Sequence, residues 1–470
     1  MYFCYRFFKG LSMDTICAIS TAQGVGAIAV VRASGPQAFE IANRLFRPAA
    51  GFMSLAAMQA KYALLYDGEQ VVDQVIVIKY AAPRSYTGED MVEISCHGSL
   101  YIQKKILEML IEGGCRMALP GEFTQRAFMN GKLDLPQAEA VGDLISSQSE
   151  TSHHLAINQL QGGISTKMRQ LREALIHIAS LLELELDFSE EDVSFANREE
   201  LDRLLTDIGT EADNLAQSFK IGNLLKTGIP VAIVGRPNVG KSTLLNALLQ
   251  HDRAIVSQVP GTTRDTIEDT LTLGGTLFRF IDTAGLRTTS DEVEQYGIDR
   301  SYEAARRAAI ILYLCDNSHQ TLPEILDDFH QLQQQVDTQD KHIIFIFNKI
   351  DLDNNLSGGY KDKIEDVYPA IAISAKTRQY INMVEDALLD FVESHRVQDM
   401  ALLTNERHYG LLRSISASIA DARNGLADGI PTDLLVEDIR SALTDLGTLT
   451  GSISTDDILN NIFGHFCIGK

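Results

Sequence analysis

Residues 235–242 read GRPNVGKS, and the chemistry they offer is the grip of a phosphate. The glycines let the backbone turn its N–H groups inward around a β-phosphate, Lys241 adds a point charge, and a following helix adds the partial positive charge of its N-terminus. The spacing is that of a phosphate-binding loop, completed by Val239, Gly240, Ser242 and Thr243, with the Ser242 hydroxyl suited to Mg²⁺. Taken alone, such an octapeptide also occurs as an ordinary glycine turn. Three further stretches follow in the order that guanine-nucleotide hydrolysis requires. FRFIDTAG ends on Asp282, Thr283, Ala284 and Gly285, where a γ-phosphate is sensed. IIFIFNKID supplies Asn348, Lys349 and Asp351; a carboxylate there accepts two hydrogen bonds from the guanine N1–H and exocyclic amine, which adenine does not offer. AIAISAK supplies Ser374, Ala375 and Lys376 to close over the base. Four ordered matches make guanine nucleotide the expected ligand.

How hydrolysis is assisted is less plain. The residue after DTAG is Leu286, where many GTPases carry a water-orienting glutamine. Asn238 can lend a side-chain oxygen to a monovalent cation beside the phosphates, with carbonyls of SQVPGTTRD (257–265) completing the shell, or it can merely stabilise the turn. Within that segment Ser257, Gln258, Val259, Pro260, Gly261 and Thr262 are expected to line the nucleotide, and Thr263 is the expected switch threonine for Mg²⁺. The acidic run TTSDEVEQYG can bring a carboxylate to the attacking water, or it can be a solvated helix start.

These residues need a frame. The apolar run IPVAIV before the loop reads as a buried strand and TLLNALL after it as a helix. At 470 residues the chain calls for two or three domains. From Met13 to Gly121 short β-rich runs alternate with helical ones, an α+β domain. Over 122–225 the strand signal fades, and Ile164, Met168, Leu171, Leu175, Ile178 and Leu182 step by four and three along one helical seam. The GTPase motifs occupy 226–385. In 386–470 helical periodicity returns, with Leu411, Ile415, Ile419, Ala422 and Leu426 on one face and Leu435, Ile439, Ala442 and Leu446 on another. The economical arrangement is one helical domain built from 122–225 and 386–470, with the GTPase domain inserted between them.

Composition narrows the setting. Lys and Arg total 41 against 63 Asp and Glu, a formal charge of −22, so a broad electrostatic grip on nucleic acid by this chain alone is excluded. The six cysteines are scattered without a paired or zinc spacing, which fits a reducing cytoplasm. The apolar opening MYFCYRFFKGLS is too short to span a membrane, and residues 1–12 are expected to be an upstream reading of the start, Met13 opening the first strand-like segment. His97 reads as a turn residue and His153/His154 as helix surface.

YTGEDMVEISCHG (86–98), PGEFTQRAFMNGKLDLPQAEAVGDLI (120–145), DTAGLR with its acidic run, and the terminal FCIGK (466–470) together resemble the MnmE (TrmE) family of bacterial tRNA-modification GTPases, from about Met13 to Lys470. The resemblance implies a multidomain α/β and α+β fold: an N-terminal folate-binding and dimerising domain, a discontinuous helical domain and an inserted Ras-like P-loop GTPase domain. It implies K⁺ held by Asn238, Ser257, Val259 and Thr262, with Lys241 and Asn238 serving catalysis and Glu294 orienting water. It implies a 5-formyl- or 5,10-methylene-tetrahydrofolate held by Arg32, Glu93, Lys132 and Lys470, with Cys467 beside it as a candidate catalyst. A pterin edge suits a carboxylate and a glutamate tail suits Arg or Lys. The family acts as a homodimer with the flavoprotein MnmG, as a heterotetramer, on C5 of the wobble uridine of certain tRNAs. FAD and most of the tRNA surface then belong to the partner. Ser99 departs from the family, where a second glycine is common. Two other readings are a regulatory GTPase switch in ribosome or RNA assembly, which the charge disfavours, and a folate enzyme whose GTPase domain regulates access.

Two measurements test the catalytic expectation. Turnover in K⁺ should exceed that in Na⁺ at equal ionic strength. Glu294→Ala should lower kcat by roughly two orders of magnitude while nucleotide affinity stays near wild type.

Overall fold

The computed structural model describes residues 14–47, 51–187, 198–250, 268–281, 294–352, 364–365, 367–395 and 402–470, with residues 294–299 and 456 described by backbone alone. The described residues fall into two compact units. One is drawn from Met1–Ser146, Ala156–Ala216 and Glu406–Lys470, the other from Ser147–Leu155 and Gln217–Asn405.

In the first unit, strands β1 (Ile16–Ile19), β2 (Ile28–Ser34), β3 (Phe46–Arg47), β4 (Gln59–Asp67), β5 (Gln70–Tyr80), β6 (Met91–His97) and β7 (Arg116–Met117) make one sheet in the order β3-β4-β5-β6-β2-β1-β7. Period-two alternation sends Val31, Ala33, Val75, Val77, Val92 and Ile94 to one face, where Ile41 of helix Ala38–Leu45 and Ile106 and Leu110 of helix Leu100–Glu112 close the core. The intervening side chains share the opposite face. There the cross-strand pair Tyr62 and Ile76 is 60% and 51% exposed.

The helical part of this unit is built as its periodicity requires. Helix Gly163–Asp187 buries all six seam residues from Ile164 to Leu182 and packs against helix Thr432–Thr450, which in turn packs against Glu406–Asp428. The expected stripe on Glu406–Asp428 holds only at its centre. Ile415, Ile419 and Ala422 are buried, but Leu412 and Gly425 take the inner ends and Leu411 and Leu426 are half-buried. Residues about 100° apart compete for the edge of a stripe, and the next helix decides. At residue 425 the chain folds back so closely that a Cβ would stand 2.4 Å from Ile430 Cδ1.

A charge network ties the start of the first unit together. The Arg126 guanidinium, with a side chain 12% exposed, lies 2.8 Å from Asp14, 3.0 Å from Glu122 and 3.2 Å from Glu89. Arg116 shares two of these partners, Asp14 at 2.7 Å and Glu122 at 2.6 Å. Burial alone would raise the Glu122 carboxyl, but hydrogen bonds from Arg116, the Leu119 N–H and Arg126 hold it below the ordinary range. Asp14 is likewise lowered: burial opposes the shift, and the two arginines outweigh it.

In the second unit, β8 (Ile229–Val234), β9 (Asp269–Leu273), β10 (Thr276–Phe280), β11 (Ile310–Asp316), β12 (His342–Asn348) and β13 (Ala370–Ala372) order as β13-β12-β11-β8-β10-β9. Every neighbour pair is parallel except β9 and β10. A central parallel strand is covered on both faces and reads as an unbroken apolar run, and all six residues of β8 are buried. Ser147–Leu155 joins this unit although its sequence carries no GTPase motif. The Thr151 N–H donates to Gly275 O at 2.9 Å, the Thr151 and Thr276 hydroxyls meet at 2.9 Å, and Leu155 packs on the sheet's core. Among the described residues no helix is long and apolar enough to cross a membrane.

Arg126→Ala leaves partly buried carboxylates without their cation and is expected to cost about 3 kcal/mol in urea unfolding at neutral pH. Because the folded pKa values of Asp14 and Glu122 are depressed, their stabilisation is present above about pH 4 and is lost as pH falls through the folded values. The variant should therefore show a shallower acid loss than the parent chain.

Candidate functional site

β8 ends at Val234 and the chain turns at once into the glycine-framed loop, which hands over to helix Lys241–Leu249 at Gly240. Asn238 is left-handed at φ 58°, a conformation that asparagine tolerates better than most residues, and it sits exposed at the crest of the loop. Among the described residues its side chain has no hydrogen-bond partner. Gly240 has φ +103°, and a Cβ there would stand 2.3 Å from Asn348 Nδ2. Only glycine meets both demands. Lys241 folds back along the loop and donates to Gly235 O at 2.6 Å and Arg236 O at 3.0 Å. Burial holds its pKa below the ordinary lysine value.

The other motifs come together by parallel strand order. Asn348 ends β12, is 3% exposed, and spends its amide on protein: Nδ2 donates to Val239 O at 2.8 Å and Oδ1 accepts from Ala375 N at 2.9 Å. It thus joins the phosphate loop to the S-A-K loop. Asp351 is exposed, and its Oδ1 accepts from the Ser374 hydroxyl at 2.6 Å, while Thr377 N donates to that same hydroxyl at 3.2 Å. The second carboxylate oxygen has no protein partner among the described residues. Lys376 is exposed. The structure therefore brings together Asn238, Val239, Gly240, Lys241, Asn348, Asp351, Ser374 and Ala375. Ser242 and Thr243 occupy the first turn of the helix that follows. Ser257, Gln258, Val259, Pro260, Gly261, Thr262, Thr263, Asp282, Thr283, Ala284, Gly285 and the side chain of Glu294 lie outside the described residues.

The second cluster lies on the first unit's sheet. Arg32 of β2 and Glu93 of β6 are register partners on the face opposite the helices, and Arg32 donates to Glu93 Oε1 through Nε at 2.9 Å and through Nη2 at 2.6 Å. Tyr80 of β5 donates to Glu93 Oε2 at 3.1 Å. The guanidinium lies over the rings of Tyr86 at 5.3 Å and Phe123 at 5.5 Å. Burial pushes both tyrosine hydroxyls up, Glu93 adding to the effect at Tyr80. Lys132 reaches the neighbouring loop, donating to Pro83 O at 3.2 Å. The C-terminal tail arrives on the same side. Phe123 N donates to Lys470 O at 3.2 Å, and Ile468 bridges Pro120. Cys467 is exposed in that tail.

Tyr80, Tyr86 and Phe123, which surround the Arg32–Glu93 pair, carry no motif in the sequence. The first shares its strand face with residues two positions apart, a spacing that was available; the rings of Tyr86 and Phe123 reach Arg32 only through tertiary folding. His97 is not a turn residue: it ends β6, and its Nδ1 lies 2.7 Å from Asp73 Oδ1. His153 and His154 are exposed on a helix.

A parallel sheet whose central strand feeds a glycine-framed lysine loop, braced by an N-K-x-D strand, defines a P-loop GTPase, here joined to an α+β and helical unit. A family model described as the MnmE helical domain matches residues 135–467, and one described as the GTP-binding protein TrmE N-terminus matches 15–132. A tRNA modification GTPase MnmE from Parabacteroides distasonis is 47% identical over 467 residues, covering 97% of this chain and 100% of its own. One from Bacteroides fragilis is 46% identical over 475 residues, covering 98% and 100%. The chain belongs to the MnmE (TrmE) family of tRNA modification GTPases. Among solved structures, a GTP-binding protein from Sulfolobus solfataricus in complex with GDP aligns over 59% of this chain and 79% of its own, at 16% identity and a TM-score of 0.28, too low to bear on the fold.

Asn348→Ala removes the bridging amide and leaves the buried Val239 O and Ala375 N without it. It is expected to weaken GDP binding at least tenfold, measured by titration, and to lower unfolding stability by about 1–3 kcal/mol.

Proposed function

We propose that this member of the family is a K⁺-dependent GTP hydrolase that, with the flavoprotein MnmG, modifies C5 of the wobble uridine of certain tRNAs with an aminomethyl-type group. The observation that carries the reading is one chain holding both a guanine-nucleotide loop system and, on its N-terminal sheet, the Arg32–Glu93 pair set between tyrosines and the C-terminal tail. A GTPase switch alone has no use for the second.

At the nucleotide, Lys241 and the helix N-terminus hold the phosphates, Asp351 reads guanine, and Ser374 fixes Asp351 in place. Mg²⁺ would be held by Ser242 and Thr263. K⁺ would be held by Asn238 with Ser257, Val259 and Thr262, and the Asn238 amide, which has no partner among the described residues, fits that role. A cation there supplies the positive charge that Leu286, in place of glutamine, does not. Glu294 orients the water. Hydrolysis drives association of the GTPase domains and a rearrangement of the complex.

At the sheet, a tetrahydrofolate one-carbon donor meets Glu93 at its pterin edge and Arg32, Lys132 and Lys470 at its anionic tail. Binding would have to open the Arg32–Glu93 pair, exchanging one charge-assisted contact for two. Cys467 stands ready as a candidate catalyst. The exposed apolar pair Tyr62 and Ile76 on that face suits burial against a second copy, which makes the homodimer part of the proposal. The N-terminal folate domain, the two-part helical domain and the inserted GTPase domain are the working division. FAD enters only through MnmG, tRNA binds largely through that partner, and the setting is the cytoplasm.

The deciding experiment is nucleoside analysis of tRNA from cells lacking this chain, where the modified wobble uridine should disappear; its persistence overturns the tRNA assignment. In the full chain, Glu93→Ala should abolish measurable tetrahydrofolate binding with GDP affinity unchanged. Unchanged folate binding removes the one-carbon role.

A further inference from the structure

The side chain at position 349 is not positioned by its own loop. Lys349 follows β12 with a left-handed backbone at φ 71°, which turns it toward the neighbouring parallel strand. That strand, β11, ends in register with β12, Asp316 beside Asn348. The Lys349 ammonium lies 2.6 Å from Asp316 Oδ2. Asp316 is 7% exposed and is itself held: its Oδ1 accepts from the Ser318 N–H at 2.9 Å and from the Ser318 hydroxyl at 2.5 Å, and its own N–H donates to Gln320 Oε1 at 2.6 Å. Burial would raise the Asp316 carboxyl, yet Lys349 and Ser318 hold it below the ordinary value.

We propose that Asp316 is a positioning residue of the guanine site, fixing Lys349 so that its stem is ordered before nucleotide arrives. The inference rests on the reading of Lys349 as a guanine-site residue. A free lysine side chain loses much of its rotamer freedom when it is ordered, and a ligand that must order it bears that cost on binding. An anion already clamped by a turn removes the cost in advance. The turn 316–320 thereby belongs to the nucleotide site although it carries none of the four GTPase motifs.

The test is a double-mutant cycle on the full chain, read as GDP affinity with thermal unfolding as a check on folding. Asp316→Asn and Lys349→Met are each expected to weaken GDP roughly tenfold, and the double variant to be no weaker than the weaker single. Losses that multiply in the double variant overturn the proposal, because Asp316 would then act on the nucleotide by a route other than Lys349. A full loss in Lys349→Met with none in Asp316→Asn also overturns it. No loss in Lys349→Met fails the underlying reading of that lysine instead. If Asp316→Asn does not fold, Ser318→Ala, which strips one donor from Asp316 without touching a strand, replaces it; a loss present in the parent chain and absent in the Lys349→Met background supports the proposal, and an equal loss in both overturns it.

Discussion

The amide of Asn348 joins the glycine-framed loop after β8 to the S-A-K loop after β13. Its nitrogen holds the phosphate loop at Val239 and its oxygen holds the S-A-K loop at Ala375. Neither loop can move far without breaking a buried bond, and an unmade buried hydrogen bond is costly. Gly240 is the steric counterpart of the same constraint, since the amide occupies the space where a Cβ would go. The register of parallel strands makes this possible: β8, β11 and β12 are adjacent, and their C-terminal ends collect the motifs along one edge.

A different logic governs the first unit. There the sheet is antiparallel except for the β1–β7 pair, one face is filled by two helices, and the other presents Arg32 and Glu93 amid aromatic and aliphatic side chains. The C-terminal tail is pinned against this unit by backbone geometry. Gly469 is left-handed, a Cβ there would lie 2.2 Å from Ile19 O, and its carbonyl accepts from the Ser20 hydroxyl at 3.2 Å. The final residues of the chain thus meet its first strand. Three arginines of this unit are committed within it: Arg126 and Arg116 to three carboxylates, Arg32 to Glu93.

Much of the candidate nucleotide site was legible because its motifs are local. A strand, a glycine-framed lysine and a helix follow one another in sequence, N-K-x-D begins on the last residue of a strand, and S-A-K follows just after one. The buried seam of Gly163–Asp187 was legible for the same reason, as a period of 3.6 is a property of the chain itself. What stayed hidden is non-local. Asp316 meets Lys349 across thirty-three residues, Thr151 meets Thr276 across 125, and Gly425 takes an inner position because another helix turns back onto it. His97 was misread as a turn because its partner Asp73 lies on the neighbouring strand.

The sequence by itself determined the ligand class, the order of motifs and the family, since each is written in short contiguous stretches whose spacing matches backbone geometry. Tertiary structure decided which charges are already spent, which segment docks on which sheet, and which side chains hold the motif residues still. Those outcomes depend on strand register and on the approach of elements far apart in the chain, and no local pattern encodes the distance between two side chains that only folding brings together.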